Sequence, residues 1–485
     1  IKTKLIDGMI KKYSFTIQDI SNKETINDGY FNVTLRLLYS VGLLDFKNRK
    51  NELNNIFTIN NQLLEIFKHK KEIQKLSRMN YYHINFNNLS NDDIKSFSEI
   101  VDENILILNK VSIGPFLHGA IIGPLLSNLG FYKKIKFKNR TFFFENLDEN
   151  IQKPINKLLN YNKLISLKNN KVTDKGEFFF KRMSAYGVTS SYLPMLNNID
   201  ELLTGNFNFI WERDEQNHEI HVNRSMNVWG SGGAHKTYFK KIDNLIELIF
   251  NQEISKQPLG IIDIGCGDGT FLKHIYSIIT ERTLRKKYLD TNPLVLIGTD
   301  INKAARVASR KKLNNSDINN IIINGNIGDP IEINNLLKKE FDYNLNDFLN
   351  TRTFLDHNRI FEEPKNILHK NIDTSGAFCY KGKIISKEKL INNLIEHFKK
   401  WSPFIKKHGL ILLELHTINP KITQKNIGKT LAPAYDTTHG YSDQYLIEHE
   451  SFIKCLEQSN ITISNKSCIL FPNIERPTVS INYIK

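Results

Sequence analysis

Two short stretches concentrate the residues that could do chemistry. The first is IIDIGCGDGTF, residues 261–271. An apolar run ends at Ile264; Asp263 lies inside it, and glycines follow at 265, 267 and 269. Glycines at a strand-to-helix turn let the backbone approach a ligand closely. A dinucleotide site would favour an uncharged strand, a later third glycine and a pyrophosphate on the helix N-terminus. Asp268 puts a negative charge where that pyrophosphate would sit, so the loop suits a cationic ligand carrying an amine and a sulfonium. The second stretch is AYDTTHGYSDQY, residues 434–445, which holds His439, Gln444, Asp436 and Asp443. It is a polar loop, a catalytic base or half of a metal site. The two aspartates read as solvated loop residues.

The surrounding elements must bring such residues together. From residue 259 onward, apolar β-runs alternate with amphipathic helical patterns. The runs are LGIIDIGC (259–266), LVLIGTD (294–300), NIIING (320–325), DFLNTRTFLD (347–356) and LILLELHT (410–417). This is the rhythm of a parallel, doubly wound sheet. The last segment, 461–484, predicts two strands and a loop that close the sheet edge in antiparallel fashion. The first half is mostly helical. Residues 30–48 and 155–183 each predict a helix followed by short β-branched stretches, a winged-helix pattern. Such modules bind DNA, dimerise or act as lids, and two copies flanking an enzyme favour the latter uses. The expected division is 1–220, helical with winged-helix-like modules and a lid, and 221–485, the ligand-binding core.

Bulk composition narrows the class. A chain of 485 residues, 40% hydrophobic, has material for several cores. The net charge of +15 suits an acidic partner. No Lys/Arg block is interleaved with aromatics, so nucleic acid is not the expected partner. Cys266, Cys379, Cys455 and Cys468 form no C-x-x-C pair, which fits a reducing, cytoplasmic setting. The most apolar stretch, GPFLHGAIIGPLLSNLGF (114–131), carries two prolines, a His and an Asn. It predicts a buried helix pair rather than a membrane span. The chain opens on Ile1 with no signal sequence, as a piece excised from a larger protein would.

DIGCGDGT resembles the first motif of class I S-adenosylmethionine-dependent methyltransferases. The resemblance implies that the backbone of Gly265 and Gly267 holds the methionine part and that Asp263 orders the amine. It implies that Asp300, in LIGTDIN, takes the ribose hydroxyls while Ile301 packs on adenine. A carboxylate accepting two hydroxyl protons is well matched to that task. Asp300 lies 33 residues beyond Gly267 (267 to 300), more than the usual twenty or so, and the charged stretch 281–292 reads as a surface excursion that absorbs the difference. Asn326 and Ile327, in INGNIGDP, fall where the family bonds the adenine amino group. The glycines of WGSGGAH (229–235), with Gly232 at their centre, read as a turn closing over the methionine or as a plain linker.

Three further strings, HVNRSMNVWGSGGAH, RTFLDHNR and THGYSDQY, with GVTSSYLPMLNNIDELLTGN (187–206), narrow the likeness. They resemble the methyltransferase domains that begin certain polyketide pathways, of the apratoxin and saxitoxin type. That resemblance implies C-methylation of a malonyl-type thioester on an acyl carrier protein, with adjacent synthase domains such as a decarboxylase. It also implies a mononuclear metal in some members. Ligands bind outside the carboxyl ends of the strands, where Asp356, His357, Glu414, His416, His439 and Gln444 would gather. A cation there would polarise a thioester carbonyl. Imidazole, carboxylate and amide oxygen suit Fe(II) or Mn(II). The expected ligands are Asp356, His439 and Gln444, with His357 as substitute for Asp356. The plainer readings are Asp356 as a helix N-cap, His439 as a general base without metal, and His416 as a satisfied strand-end histidine. The alternative function is a metal-independent O- or N-methyltransferase acting on a free small molecule.

Overall fold

The computed structural model describes residues 5–23, 25–49, 51–168, 171–216, 218–463 and 468–485, with the side chains of all these but 104 and 233–237. The chain forms two compact units. The first comprises 1–235, 379–384 and 419–442; the second comprises 236–378, 385–418 and 443–485.

Both winged-helix patterns are present in the first unit. Helix Asp28–Ser40 buries Tyr30, Phe31, Val33 and Leu35 and is followed by strands Leu44–Lys47 and Ile56–Ile59, which pair antiparallel. Ser14–Phe15 adds a third strand beside Ile56–Ile59. In the second module Asp148 caps helix Glu149–Tyr161, its carboxylate accepting the Asn150 N–H at 2.7 Å. Ile151, Ile155, Leu158 and Leu159 fall on one buried face of that helix at helical spacing. The strands around it form a four-stranded antiparallel sheet.

The apolar stretch 114–131 is one helix, Gly114–Phe131, not a pair. Pro115 sits in its first turn, where no N–H is needed, and Pro124 lies inside it. The helix is held by burial of Ile121, Ile122, Leu125, Leu126 and Leu129 in a large apolar core. No helix among the described residues is long and apolar enough to cross a membrane.

The second unit is built on a seven-stranded sheet. Its strands are β1 (Gly260–Ile264), β2 (Val295–Thr299), β3 (Ile321–Ile323), β4 (Leu349–Thr353), β5 (Leu410–Leu415), β6 (Ile469–Phe471) and β7 (Val479–Ile484). Their order is β3-β2-β1-β4-β5-β7-β6. The first five run parallel, whereas β7 pairs antiparallel with β5 and with β6. Every residue of β1 and β5 is buried, as parallel strands covered on both faces require. The helices are α1 (Thr270–Arg282), α2 (Lys303–Asn314), α3 (Pro330–Phe341), α4 (Lys387–Ile405) and α5 (His449–Glu457). The stretch 281–292 is mostly exposed, as a surface excursion would be, and is anchored at one point. Arg285 is buried within it, and its guanidinium donates to the carbonyls of Pro258, Leu259, Asn292 and Pro293.

Candidate active site

The glycine loop turns directly out of β1. Gly265, Gly267 and Gly269 all have positive φ, at 78°, 55° and 78°, which a side chain would strain. The N–H groups of Gly265 and Cys266 donate to the Thr299 carbonyl at 2.8 and 2.9 Å, tying the loop to β2. A Cβ at Gly265 would press on Leu355, whereas one at Gly267 would meet nothing within 4 Å. The loop therefore packs against the end of β4 on one side and faces open space on the other.

Asp300, at the end of β2, accepts the Gly267 N–H at 3.1 Å and the Asn302 N–H at 2.8 Å. A carboxylate is chemically matched to ribose hydroxyls, since it accepts two O–H bonds. Ile301 beside it is 62% exposed, an apolar surface available to a flat ring. Asn326 Oδ1 closes a turn onto the Gly328 N–H at 2.9 Å. Ile327 is buried, and its carbonyl accepts the Trp401 indole N–H at 2.8 Å. Asp300 and Ile301 suit the chemistry of a ribose and an adenine, whereas Asn326 Oδ1 and the Ile327 carbonyl are engaged within the protein.

Asp263 is wholly buried and accepts the Thr351 hydroxyl at 2.8 Å from the facing position on β4. Burial pushes its carboxyl up to about 7; the Thr351 bond opposes the shift and the Asp300 charge adds to it. Asp268 carries its charge in a pair. It pairs with the Lys312 ammonium on α2 and accepts the Thr270 N–H. Burial likewise pushes the Cys266 thiol up to about 12, with Asp263 and Asp300 adding to the shift. That sulfur is packing, not a nucleophile.

Gly232 is in no turn. It lies within helix Arg224–Phe250. The neighbouring residues show what the WGSGG run does. A Cβ at Gly230 would stand 2.6 Å from the Val188 nitrogen, and those at Gly130 and Gly187 would stand 3.0 Å from the Trp229 ring. The run thus lets helices pack closely around Trp229.

Beyond β4, Phe354 takes the left-handed φ of 54°, and a three-residue 3-10 turn, Asp356–Asn358, follows. His357 and Glu414, the latter on β5, meet here. His357 Nδ1 lies 2.5 Å from Glu414 Oε1, and the His357 N–H donates to Glu414 Oε2 at 3.1 Å. Both are buried. Glu414 is a lone charge in an apolar run, and both residues sit at strand ends where ligands bind; these are the sequence signals for the pair.

Asp356 is not the N-cap: Leu355 holds that place, and Asp356 is a buried first residue of the turn. Its Oδ1 accepts Arg352 Nη1 at 2.8 Å and lies 2.9 Å from His397 Nε2. Burial alone would push this carboxyl up, but the Arg352 guanidinium, the His397 N–H and Arg359 outweigh it and hold it below the ordinary range. Burial pushes His397 down to about 4, against the pull of Asp356, so the ring is neutral and Nε2–H donates. A divalent cation on Asp356 would sit among two buried guanidiniums, an unfavourable field.

His439 and Gln444 belong to different units. His439 is buried in helix Ala432–Gly440, and its Nδ1 lies 2.8 Å from the Tyr435 carbonyl. Gln444 follows in the chain, half-buried. Among the described residues, no group of three or more His, Cys, Asp or Glu could hold a metal ion. Of the expected donor set, Asp356 Oδ1 is engaged by Arg352 and His397, and His439 lies in one unit while Asp356 and Gln444 lie in the other. Two other expectations for this stretch are corrected. Asp436 is ion-paired to Arg36 at 2.5 Å in a buried setting, and Asp443 is buried with a φ of 54°. His416 is the satisfied histidine that was expected, 2.7 Å from the Ser480 hydroxyl and 3.2 Å from the Ile447 carbonyl.

The strand order, the glycine turn and the acid ending β2 define a class I S-adenosylmethionine-dependent methyltransferase. The family model of the AprA MT2-like domain matches residues 219–482, more than half of the chain, and that of the AprA winged helix domain matches 118–206. The chain belongs to this AprA-type methyltransferase family. Solved structures similar to it include the mitomycin 7-O-methyltransferase MmcR, at 9% identity and a TM-score of 0.39 over 70% of this chain and 83% of that one. An O-methyltransferase family protein from Burkholderia thailandensis matches at 11% identity and 0.35, over 87% and 97%. The plantazolicin methyltransferase BpumL in complex with SAH matches at 12% and 0.30, over 54% and 89%. No curated protein matches in sequence.

Proposed function

We propose that this methyltransferase alkylates the α-carbon of a malonyl-type thioester carried by an acyl carrier protein, in polyketide assembly, without a metal step. The observation that carries this reading is the buried His357–Glu414 pair, which follows Leu355 packed on Gly265 of the donor loop. Carbon methylation needs a base, because the attacking carbon must first lose a proton. Glu414 engages Nδ1; in this reading Nε2 takes the α-proton, and the carboxylate then balances the imidazolium charge.

S-adenosylmethionine, when bound, supplies an electrophilic methyl group on a sulfonium. The chain's own residues hold and orient it: the Gly265–Gly267 backbone at the methionine end, Asp300 at the ribose and Ile301 at the adenine. Asp263 contributes negative charge beneath the loop.

The test is His357→Gln. Loss of the base predicts a fall in transfer of roughly 10²- to 10⁴-fold, with S-adenosylmethionine affinity by calorimetry unchanged. A variant that transfers methyl at the native rate would remove His357 from the chemistry.

A further inference from the structure

We propose that Arg352, Asp356 and His397 form a buried positioning device that aims His357 at the substrate, an inference that rests on reading His357 as the base. A three-residue 3-10 turn cannot by itself hold a side chain to the tolerance that proton transfer needs. Here several polar groups of the turn are gripped, most of them from other elements. The Asp356 carboxylate takes Arg352 from β4 at 2.8 Å and His397 from α4 at 2.9 Å. The Asp356 carbonyl takes Arg359 Nη1 at 2.8 Å, and the Arg359 Nε is in turn fixed by Asn393 at 2.8 Å. The His357 carbonyl takes the Tyr445 N–H at 2.8 Å, and its own N–H goes to Glu414. The Arg352 guanidinium lies over Trp401, 4.2 Å from the ring centroid. Arg352 and Asp356 are both 0% exposed.

Stability alone does not call for this arrangement. A buried ion pair rarely outperforms apolar residues of the same size. What charged groups supply and methyl groups cannot is direction. The turn is also entered through the left-handed backbone of Phe354, a conformation that persists only where its surroundings enforce it. Strain and buried charge together are spent on the residue immediately before His357.

The experiment compares the native protein with Asp356→Asn, the double variant Arg352→Met/Asp356→Leu, and His357→Gln. The first readout needs no substrate: the downfield proton resonance of the His357 ring N–H facing Glu414, identified by its loss in His357→Gln. The second is kcat and the KM for S-adenosylmethionine with malonyl-loaded carrier. The double variant removes both charges, so it keeps a foldable interior but loses the grip. It is expected to lose the resonance and to drop kcat about 100-fold with KM unchanged. Asp356→Asn keeps an oxygen for Arg352 and is expected to retain the resonance, with kcat falling only about tenfold. A native protein without the resonance, or a double variant with native resonance and kcat, overturns the proposal. If the double variant does not fold, an Asp356→Asn protein with native kcat overturns it instead. If His357→Gln transfers normally, the base assignment fails, while the resonance still decides whether the cluster positions the ring.

Discussion

At the residue scale, Asp263 is the carboxylate with the largest consequence. Burial raises it from 3.8 to about 7. The donor-free fold therefore prefers the protonated form, and this group's contribution to stability is full below about 4 and lost as pH rises through about 7. A cationic donor reverses that preference by favouring the carboxylate. Donor affinity should then rise as pH goes from below 7 to above it, with proton release visible by calorimetry in two buffers. Asp263→Asn should bind more weakly and without pH dependence; pH-independent binding by the native protein would contradict the assignment. The glycines, Asp263 and Asp300 were legible because strand, turn and acid are contiguous in sequence. Asp356 was not. Its partner His397 lies 41 residues away, and Arg352, four residues earlier, is visible as a partner only once both are known to be buried. Asp436 misled for the same reason, since Arg36 lies 400 residues distant.

At the element scale, the glycines of helix Arg224–Phe250 separate two readings of WGSGGAH. A Cβ at Gly230 meets the Val188 backbone, whereas one at Gly232 meets nothing within 4 Å. Gly230→Ala should destabilise by about 1–3 kcal/mol through overpacking. Gly232→Ala should be neutral or stabilising by up to about 1 kcal/mol, with donor affinity unchanged. Thermal unfolding and donor titration check both, and weakened donor binding by Gly232→Ala would restore the cofactor turn. The β-runs of the sheet were readable from their apolar continuity, and both winged-helix patterns from helical spacing followed by β-branched residues. The helix at 432–440 was not, because a string with a Pro, two Thr, an Asp, a His and a Gly has little helix propensity of its own. Burial of Thr437, Thr438 and His439 sustains it instead.

At the scale of the whole molecule, the order of residues in the chain conceals part of the organisation. Segments 379–384 and 419–442 lie within the methyltransferase sequence yet belong to the first unit. Hydrophobic periodicity reports which face of an element is buried, not which unit buries it. The net charge of +15 is a property at this scale too, and it suits an acidic carrier as substrate bearer. The most direct measurement is the intact mass of a malonyl-loaded acyl carrier protein after incubation with this protein and S-adenosylmethionine, before and after exhaustive chelation of metal. The account predicts that the acyl group gains one methyl, that fragmentation of the released acyl group places it on the α-carbon and not on the carboxylate oxygen, and that chelation leaves the yield unchanged. A carrier of unaltered mass, a methyl found on oxygen, or a reaction abolished by chelation and restored by Fe(II) or Mn(II) would contradict it.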